Sequence, residues 1–394
     1  MGDWEFVFME DVQGHIEEHG VSGIEEFFKK KLEKWRDVEI NIGVTGDSGV
    51  GKSSFINAIR GLADDDEGAA ETGVKETTRV AAKYPHPTND KIFFWDLPGI
   101  GTPNYPDLET YSENVGLEKY DTFLILTAGR FTENDLALTK KVTAIGKSFF
   151  LIRTKIDQDY TNERRKKNFS EEMMLATIKN DCFENLKGFS GANRVVFLIS
   201  NPYPAKWDFG RLTQAILDVL PFRQRESLTL SLGVLTSLST DMLKRKADLL
   251  RGRIWMIASA SAAAAVVPVP GLNVAVDIAL LSNEVSLYKS QLGLPEEDSI
   301  EFRNMSPENQ DRIRKFCITS ATQFAGFLAR YGAGSAVEEF SRFIPFIGLA
   351  IAGGISFSST YHFLHQCLDE LEGTAVKFLD EMTTRTVDDM DDIE

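Results

Sequence analysis

Cysteine is scarce in this chain. Cys182, Cys317 and Cys367 are the only three in 394 residues, far apart and odd in number. That excludes a disulfide scaffold and a cysteine metal site, and it fits a reducing compartment. Positive charge is also in deficit: 43 Lys and Arg stand against 59 Asp and Glu, a net charge of −16. So acidic a chain is a poor partner for a phosphate backbone, which excludes nucleic acid as the main ligand. No secretory leader is legible, because MGDWEFVFMEDV places acids where a basic region belongs and no long apolar run follows. Gly2 invites a myristoylation reading, but Phe6 stands where that signal needs Ser or Thr, and the ending DDMDDIE holds no prenylation cysteine. No internal repeat is visible. Hydrophobic residues make up 43% and charged residues 26%, ordinary for a globular protein. At about 100–200 residues per domain, the length allows two or three domains.

The hydrophobic period changes twice along the chain. Residues 9–36 repeat at helical spacing through Val12, Ile16, Ile24, Phe28, Leu32 and Trp35. Val38, Ile40, Ile42 and Val44 then alternate, as in a strand. Short apolar runs at Ile92–Trp95, Phe123–Leu126, Phe149–Ile152 and Val195–Ile199 are separated by amphipathic stretches. Such alternation predicts a mostly parallel sheet covered by helices. Beyond Pro221 the strand signal stops and the chain reads as helical, with breaks near Pro268–Gly271, Pro295, Pro307, Gly332–Gly334 and Gly353–Gly354. The expected division is a helical segment 1–36, an α/β domain 37–220 and a helical domain 221–394. The acidic clusters Asp64–Glu67 and Asp388–Glu394 read as a solvated loop and a frayed tail.

The strongest motif is Gly46-Asp47-Ser48-Gly49-Val50-Gly51-Lys52-Ser53, a GxxxxGKS run after a strand and before the helical run Ser53–Leu62. In that context it is a phosphate loop. Glycines let successive backbone N–H groups turn inward on phosphate oxygens, and the helix N-terminus adds its dipole. Lys52 reaches the β- and γ-phosphates, the Ser53 hydroxyl suits Mg²⁺, and Ser54 continues the turn. Fifty residues on, Trp95-Asp96-Leu97-Pro98-Gly99 ends a strand; Asp96 can hold Mg²⁺ through water and the Gly99 N–H can sense a γ-phosphate. Thr154-Lys155-Ile156-Asp157 follows the next-but-one strand. A carboxylate at Asp157 accepts from guanine N1 and N2, a donor pair adenine lacks, while the Lys155 stem lies along the base. Ser200-Asn201 follows the last strand, where a backbone N–H meets the base O6. Each piece alone is a strand-end loop. Four in order at the C-terminal edge of one sheet make a guanine-nucleotide site of a P-loop, Ras-like G domain.

Two pieces depart from the usual pattern. Ras-like GTPases orient the attacking water with a Gln just after the DxxG glycine, and here Ile100 stands there. Either hydrolysis is slow, or a second protomer, the nucleotide's own oxygens or Glu76 assists. Thr154 replaces the usual Asn of the base motif, which predicts one lost contact, moderate affinity and spontaneous exchange. Between the loops, Thr72, Thr77 and Thr78 all compete for the switch position that coordinates Mg²⁺.

The segments 46–62, 67–78, 84–105, 120–138, 149–159 and 196–201 together resemble the immunity-related, interferon-inducible GTPases, most specifically in WDLPGIGT and RFTEND. The resemblance implies a G domain beside an all-α domain built from the N-terminal arm and the C-terminal half. It implies a GTPase using GTP, GDP and Mg²⁺ that forms homodimers or oligomers through the G domain in the GTP state. It implies a cytoplasmic, interferon-inducible effector of cell-autonomous immunity, peripheral on endomembranes or pathogen vacuoles. Lys52 places the chain among the lysine-type members. The family's switch threonines fall on Thr72 and Thr78 and its switch glutamate on Glu76, so Lys52, Glu76 and Thr78 form the expected catalytic set and Ser53, Thr78 and Asp96 the metal set.

Ile254–Leu281 carries one charge, Asp277, but Pro268, Pro270 and Gly271 split it. It reads either as a buried helical hairpin or as a membrane-contact element, with Lys244, Arg245, Lys246, Arg251 and Arg253 either flanking lipid or forming a wet helix face. The runner-up function is a GTP-dependent switch or scaffold with negligible turnover. A dynamin-like remodeller ranks last, because residues 222–394 are few for a long stalk.

Overall fold

The computed structural model describes residues 14–15, 18–19, 24–73, 80–102, 104–185, 195–233, 239–265, 272–315 and 351–391. Chain contacts divide it into two compact units, Trp35–Met242 and Met1–Lys34 with Leu243–Glu394.

Helix α1 (Ile24–Glu33) precedes the sheet, and a 3₁₀ turn over Lys34–Asp37 buries Trp35 at the entrance to the first unit. That unit is built on β1 (Ile40–Gly46), β2 (Ala82–His86), β3 (Asn89–Asp96), β4 (Thr122–Thr127), β5 (Ser148–Arg153) and β6 (Val196–Leu198). The order across the sheet is β2-β3-β1-β4-β5-β6. Only β2 runs antiparallel, against β3. The other pairings are parallel, with Val44 of β1 level with Asp96 on one side and Leu124 on the other. Every residue of β4 is buried, as expected of a central strand roofed on both faces.

The roofing helices are α2 (Lys52–Arg60), α3 (Leu108–Val115), α4 (Glu133–Ala144), α5 (Ile156–Glu163), α6 (Glu171–Asn185), α7 (Phe209–Val219) and α8 (Phe222–Ser231). On one face Ile42, Val44, Leu124, Leu126 and Ile152 pack with Phe55 and Ile59 of α2 and Phe209 and Ile216 of α7. On the other, Phe123, Ile125 and Leu151 pack with Tyr111, Leu138 and Cys182. The expected α/β sheet is present. The first strand lies two residues later than the alternation placed it, because it stays buried through Thr45 to the phosphate loop. Strand β2 was not legible: Pro85 interrupts its pattern, and the structure accommodates that proline on the sheet's edge beside a register shift.

The second unit is helical among its described residues. It comprises α1 with α9 (Thr240–Ala265, which starts in the first unit), α10 (Leu272–Gln291), α11 (Ile300–Asn304), α12 (Pro307–Lys315) and α13 (Ile351–Asp391). Helices α10 and α12 both pack on α13. The expected break at Gly353–Gly354 does not occur; both glycines lie within α13. The tail read as frayed stays helical to Asp391.

The basic cluster before Ile254 is neither a wet face nor a free lipid flank as a whole. Arg253 is buried, donating to both Glu284 oxygens at 3.1 and 3.2 Å and to the Leu32 carbonyl at 2.7 Å, which ties α1 to α9 and α10. Arg251 pairs with Asp248, with Asp369 at 2.7 Å and with Glu372, and the last two acids outweigh burial and hold its pKa above the usual range. Lys246 is 0% exposed. Of the five, only Lys244 is exposed. Sequence pattern cannot show this, since long cationic stems bury as readily as they snorkel. No helix among the described residues is long and apolar enough to cross a membrane.

Candidate nucleotide site

Strand β1 ends at Gly46, and the chain turns back into α2 through Gly49 and Gly51, both at positive φ. A Cβ on Gly46 would lie 2.1 Å from the Leu126 carbonyl oxygen, so strand β4 leaves room for no side chain there. Gly51 caps α2 in the left-handed region at φ 93°, which opens the helix N-terminus toward the loop. Lys52 folds over this loop, donating to the Gly46 and Asp47 carbonyls at 3.0 Å each. Its position is that of a cation waiting at the mouth of an anion cradle.

Ser53 is the next residue along α2. Its hydroxyl donates to Asp96 Oδ2 at 3.0 Å. The two residues expected to share a metal, 43 positions apart, are therefore brought together by the β1–β3 pairing. A hydroxyl and a carboxylate side by side are hard oxygen donors, the set Mg²⁺ prefers. Gly99 lies against the phosphate loop: a Cβ there would meet the Gly46 carbonyl at 3.3 Å. After it the chain makes a tight turn, with the Gly101 N–H on the Tyr105 carbonyl at 2.7 Å, and Asn134 donates to the Ile100 carbonyl at 3.4 Å. No group that could orient water is supplied at Ile100.

The base motif sits across the phosphate loop. Thr154 Oγ1 donates to the Val50 carbonyl at 2.7 Å, and Asn201 Nδ2 to the Gly51 carbonyl at 3.0 Å. The Thr154 hydroxyl thus ties the base motif to the phosphate loop although it is shorter than the usual Asn. Lys155 adopts φ 62° and ψ 32°, a left-handed conformation rare for a side chain of its size, and this starts α5 with Asp157 in the first turn. The Ile156 N–H bonds the Ile199 carbonyl at 3.2 Å, which brings Ser200 and Asn201 beside Asp157. Three side-chain atoms here are shut from solvent with no hydrogen-bond partner among the described residues: Asp157 Oδ1, Ser200 Oγ and Asn201 Oδ1. Buried polar atoms left so cost about 1–3 kcal/mol each, so their clustering marks a place built for a polar ligand edge.

Thr72 is exposed, while Thr77, Thr78 and Glu76 fall outside the described residues. Sequence reasoning missed two members. Tyr111 of α3 is fully buried with its hydroxyl 3.1 Å from Thr45 Oγ1, at the root of the phosphate loop. Asp135 closes a capping box with Thr132 at the start of α4. Burial, reinforced by Asp47, pushes the Asp135 carboxyl up, while the Thr132 hydrogen bonds and Lys52 pull it down, so this acid also lies in the field of the phosphate loop. The TxxD spacing of Thr132 and Asp135 was the available signal for that helix start.

The Interferon-inducible GTPase (IIGP) family model matches residues 7–325. The chain is similar to rat "Interferon-inducible GTPase 5", 34% identical over 360 residues that cover 88% of this chain and 77% of that protein. It is also similar to mouse "T-cell-specific guanine nucleotide triphosphate-binding protein 2", 32% identical over 362 residues, covering 91% and 85%. Mouse "Interferon-gamma-inducible GTPase 10" is 31% identical over 365 residues, covering 92% and 86%.

Proposed function

The chain belongs to the interferon-inducible GTPase family, and from that premise we propose that this GTPase binds GTP with Mg²⁺ across the phosphate loop and base motif, assembles with itself in the GTP state, and acts as an immunity effector at intracellular membranes. The observation that carries the site reading is the trio of partnerless buried atoms, Asp157 Oδ1, Ser200 Oγ and Asn201 Oδ1, at the end of a phosphate loop. Guanine presents N–H donors and a carbonyl to such an edge, and a triphosphate reaches back to Lys52.

In this reading Lys52 leaves the Gly46 and Asp47 carbonyls for phosphate oxygens. The N–H groups of residues 48–54 and the α2 dipole take the remaining charge. Ser53 and Asp96 hold Mg²⁺, which when bound neutralises phosphate charge. Tyr111 braces Thr45, the residue before the phosphate loop. Ile100 cannot aim water, so either hydrolysis is slow or a second protomer, the nucleotide's own oxygens or Glu76 assists. Help from a second protomer would link turnover to self-assembly.

The GTP hydrolysis rate per molecule, measured across a wide protein concentration range with Mg²⁺ and an ATP control, is expected to climb with concentration. A flat, near-zero rate with GTP still bound would instead favour the switch or scaffold reading. Asp157→Asn is expected to weaken GTP binding about 10–100-fold and to admit xanthosine nucleotides, whose C2 oxygen suits an amide donor. An unchanged base preference in competition binding would remove Asp157 from the base site.

A further inference from the structure

Arg153 is the last residue of β5 and is 9% exposed. Its guanidinium has two engagements. Nη2 bonds Asp159 Oδ2 at 2.8 Å, and Nη1 donates to the Thr154 carbonyl oxygen. Thr154 is the residue before Lys155, and Asp159 lies in the first turn of the helix after it. One planar side chain therefore grips both flanks of the left-handed residue. Lys155 and Trp207 are the only non-glycine residues at positive φ among those described. Such conformations persist where surrounding contacts over-determine them.

We propose that Arg153 is a positioning residue for guanine selection: its fork braces Lys155 from both sides and thereby fixes the aim of Asp157. The inference rests on the guanine-site reading above and deepens it. The remaining contacts of this loop leave the role open to Arg153. Thr154 Oγ1 and the Thr154 N–H anchor the chain before Lys155, and the Ile156 N–H anchors it after. None of these reaches the carboxylate side of α5, where Asp157, Asp159 and Glu163 crowd together. Burial pushes the Asp159 carboxyl up, and Asp157 and Glu163 add to that, while Arg153 pulls it down. Among the described residues Arg153 is the cation paired with Asp159, and it also holds the carbonyl before the turn carrying Asp157. A lysine supplies a point charge and no fork, so it can keep one engagement but not both.

The test is equilibrium binding of GDP and of IDP, which lacks the 2-amino group that Asp157 is read to recognise. The wild type is expected to prefer GDP by about tenfold or more. In Arg153→Lys the GDP affinity is expected to fall about tenfold while IDP affinity falls much less, so the preference collapses toward unity. Affinity for pyrophosphate is expected to stay as in the wild type. Asp159→Asn, on the more exposed side of the pair, is expected to reduce the preference in the same direction and carries the test if R153K does not fold. Equal losses of GDP and IDP, or an intact preference in both variants, would overturn the role of Arg153. A wild type without any GDP preference would instead overturn the guanine-site reading itself, which separates the two failures.

Discussion

Lys52→Ala is expected to reduce GTP affinity by at least a hundredfold. Charge-assisted hydrogen bonds are worth about 1.5–3 kcal/mol each, and Lys52 is placed to make two with phosphate oxygens. Its Nζ donates to the Gly46 and Asp47 carbonyls, both backbone groups at the loop mouth. Alanine is a strong helix former at this first position of α2, so the variant is expected to fold. The two effects separate in one thermal-shift experiment. Wild type with excess GTP and Mg²⁺ gains stability by mass action, and the variant does not, while the two melt alike without nucleotide. A variant that keeps its GTP-dependent shift would displace Lys52 from the site.

The largest effect on stability is expected from Lys246→Met in α9. Lys246 is wholly buried, and its Nζ has no hydrogen-bond partner among the described residues. Burial is the one cause that lowers its pKa, to about 7. The unfolded lysine titrates in the ordinary range near 10.4. Between those values the unfolded chain holds a proton that the folded chain does not, so folding stability rises with pH from about 7 to about 10. Below pH 7 the native state carries the full cost of ionising or neutralising a buried amine, on the order of 5 kcal/mol for a shift of this size. Methionine keeps the unbranched stem without the amine. The variant is expected to be more stable than wild type by up to that amount at pH 6–7, with the difference shrinking as pH rises toward 10. Denaturant midpoints of both proteins across that range measure it, and the difference between them isolates Lys246 from every other titrating group. A difference independent of pH, or a variant less stable throughout, would mean that the amine is paired.

The four strand-end motifs were legible in the sequence because the chemistry proposed for them needs fixed residues at fixed distances from strand ends. Gly46–Ser53, Asp96–Gly99, Thr154–Asp157 and Ser200–Asn201 each follow a strand of the sheet, and the sheet and the ties between loops bring them together. Strand β2 was not legible because Pro85 breaks its pattern. Arg153 was passed over because nothing in a strand-end arginine announces that its fork will bridge Thr154 and Asp159. The Lys244–Arg253 cluster misled for a related reason. A charged residue's type tells that it needs water or a partner, and Arg253 finds Glu284 thirty-one residues away. Lys246 is buried with no partner among the described residues, and its burial follows from helix packing that no local pattern encodes.

The ties from Thr154 to Val50 and from Asn201 to Gly51 fasten the base motif to consecutive carbonyls of the phosphate loop. Mechanically the two halves of the cradle are then one part. In the proposed reading, a nucleotide held across both is expected to loosen its base and its phosphates together, unless one of these stitches breaks. On the other side the phosphate loop meets the chain after β3 through the Ser53–Asp96 hydrogen bond and the close approach of Gly99 to the Gly46 carbonyl.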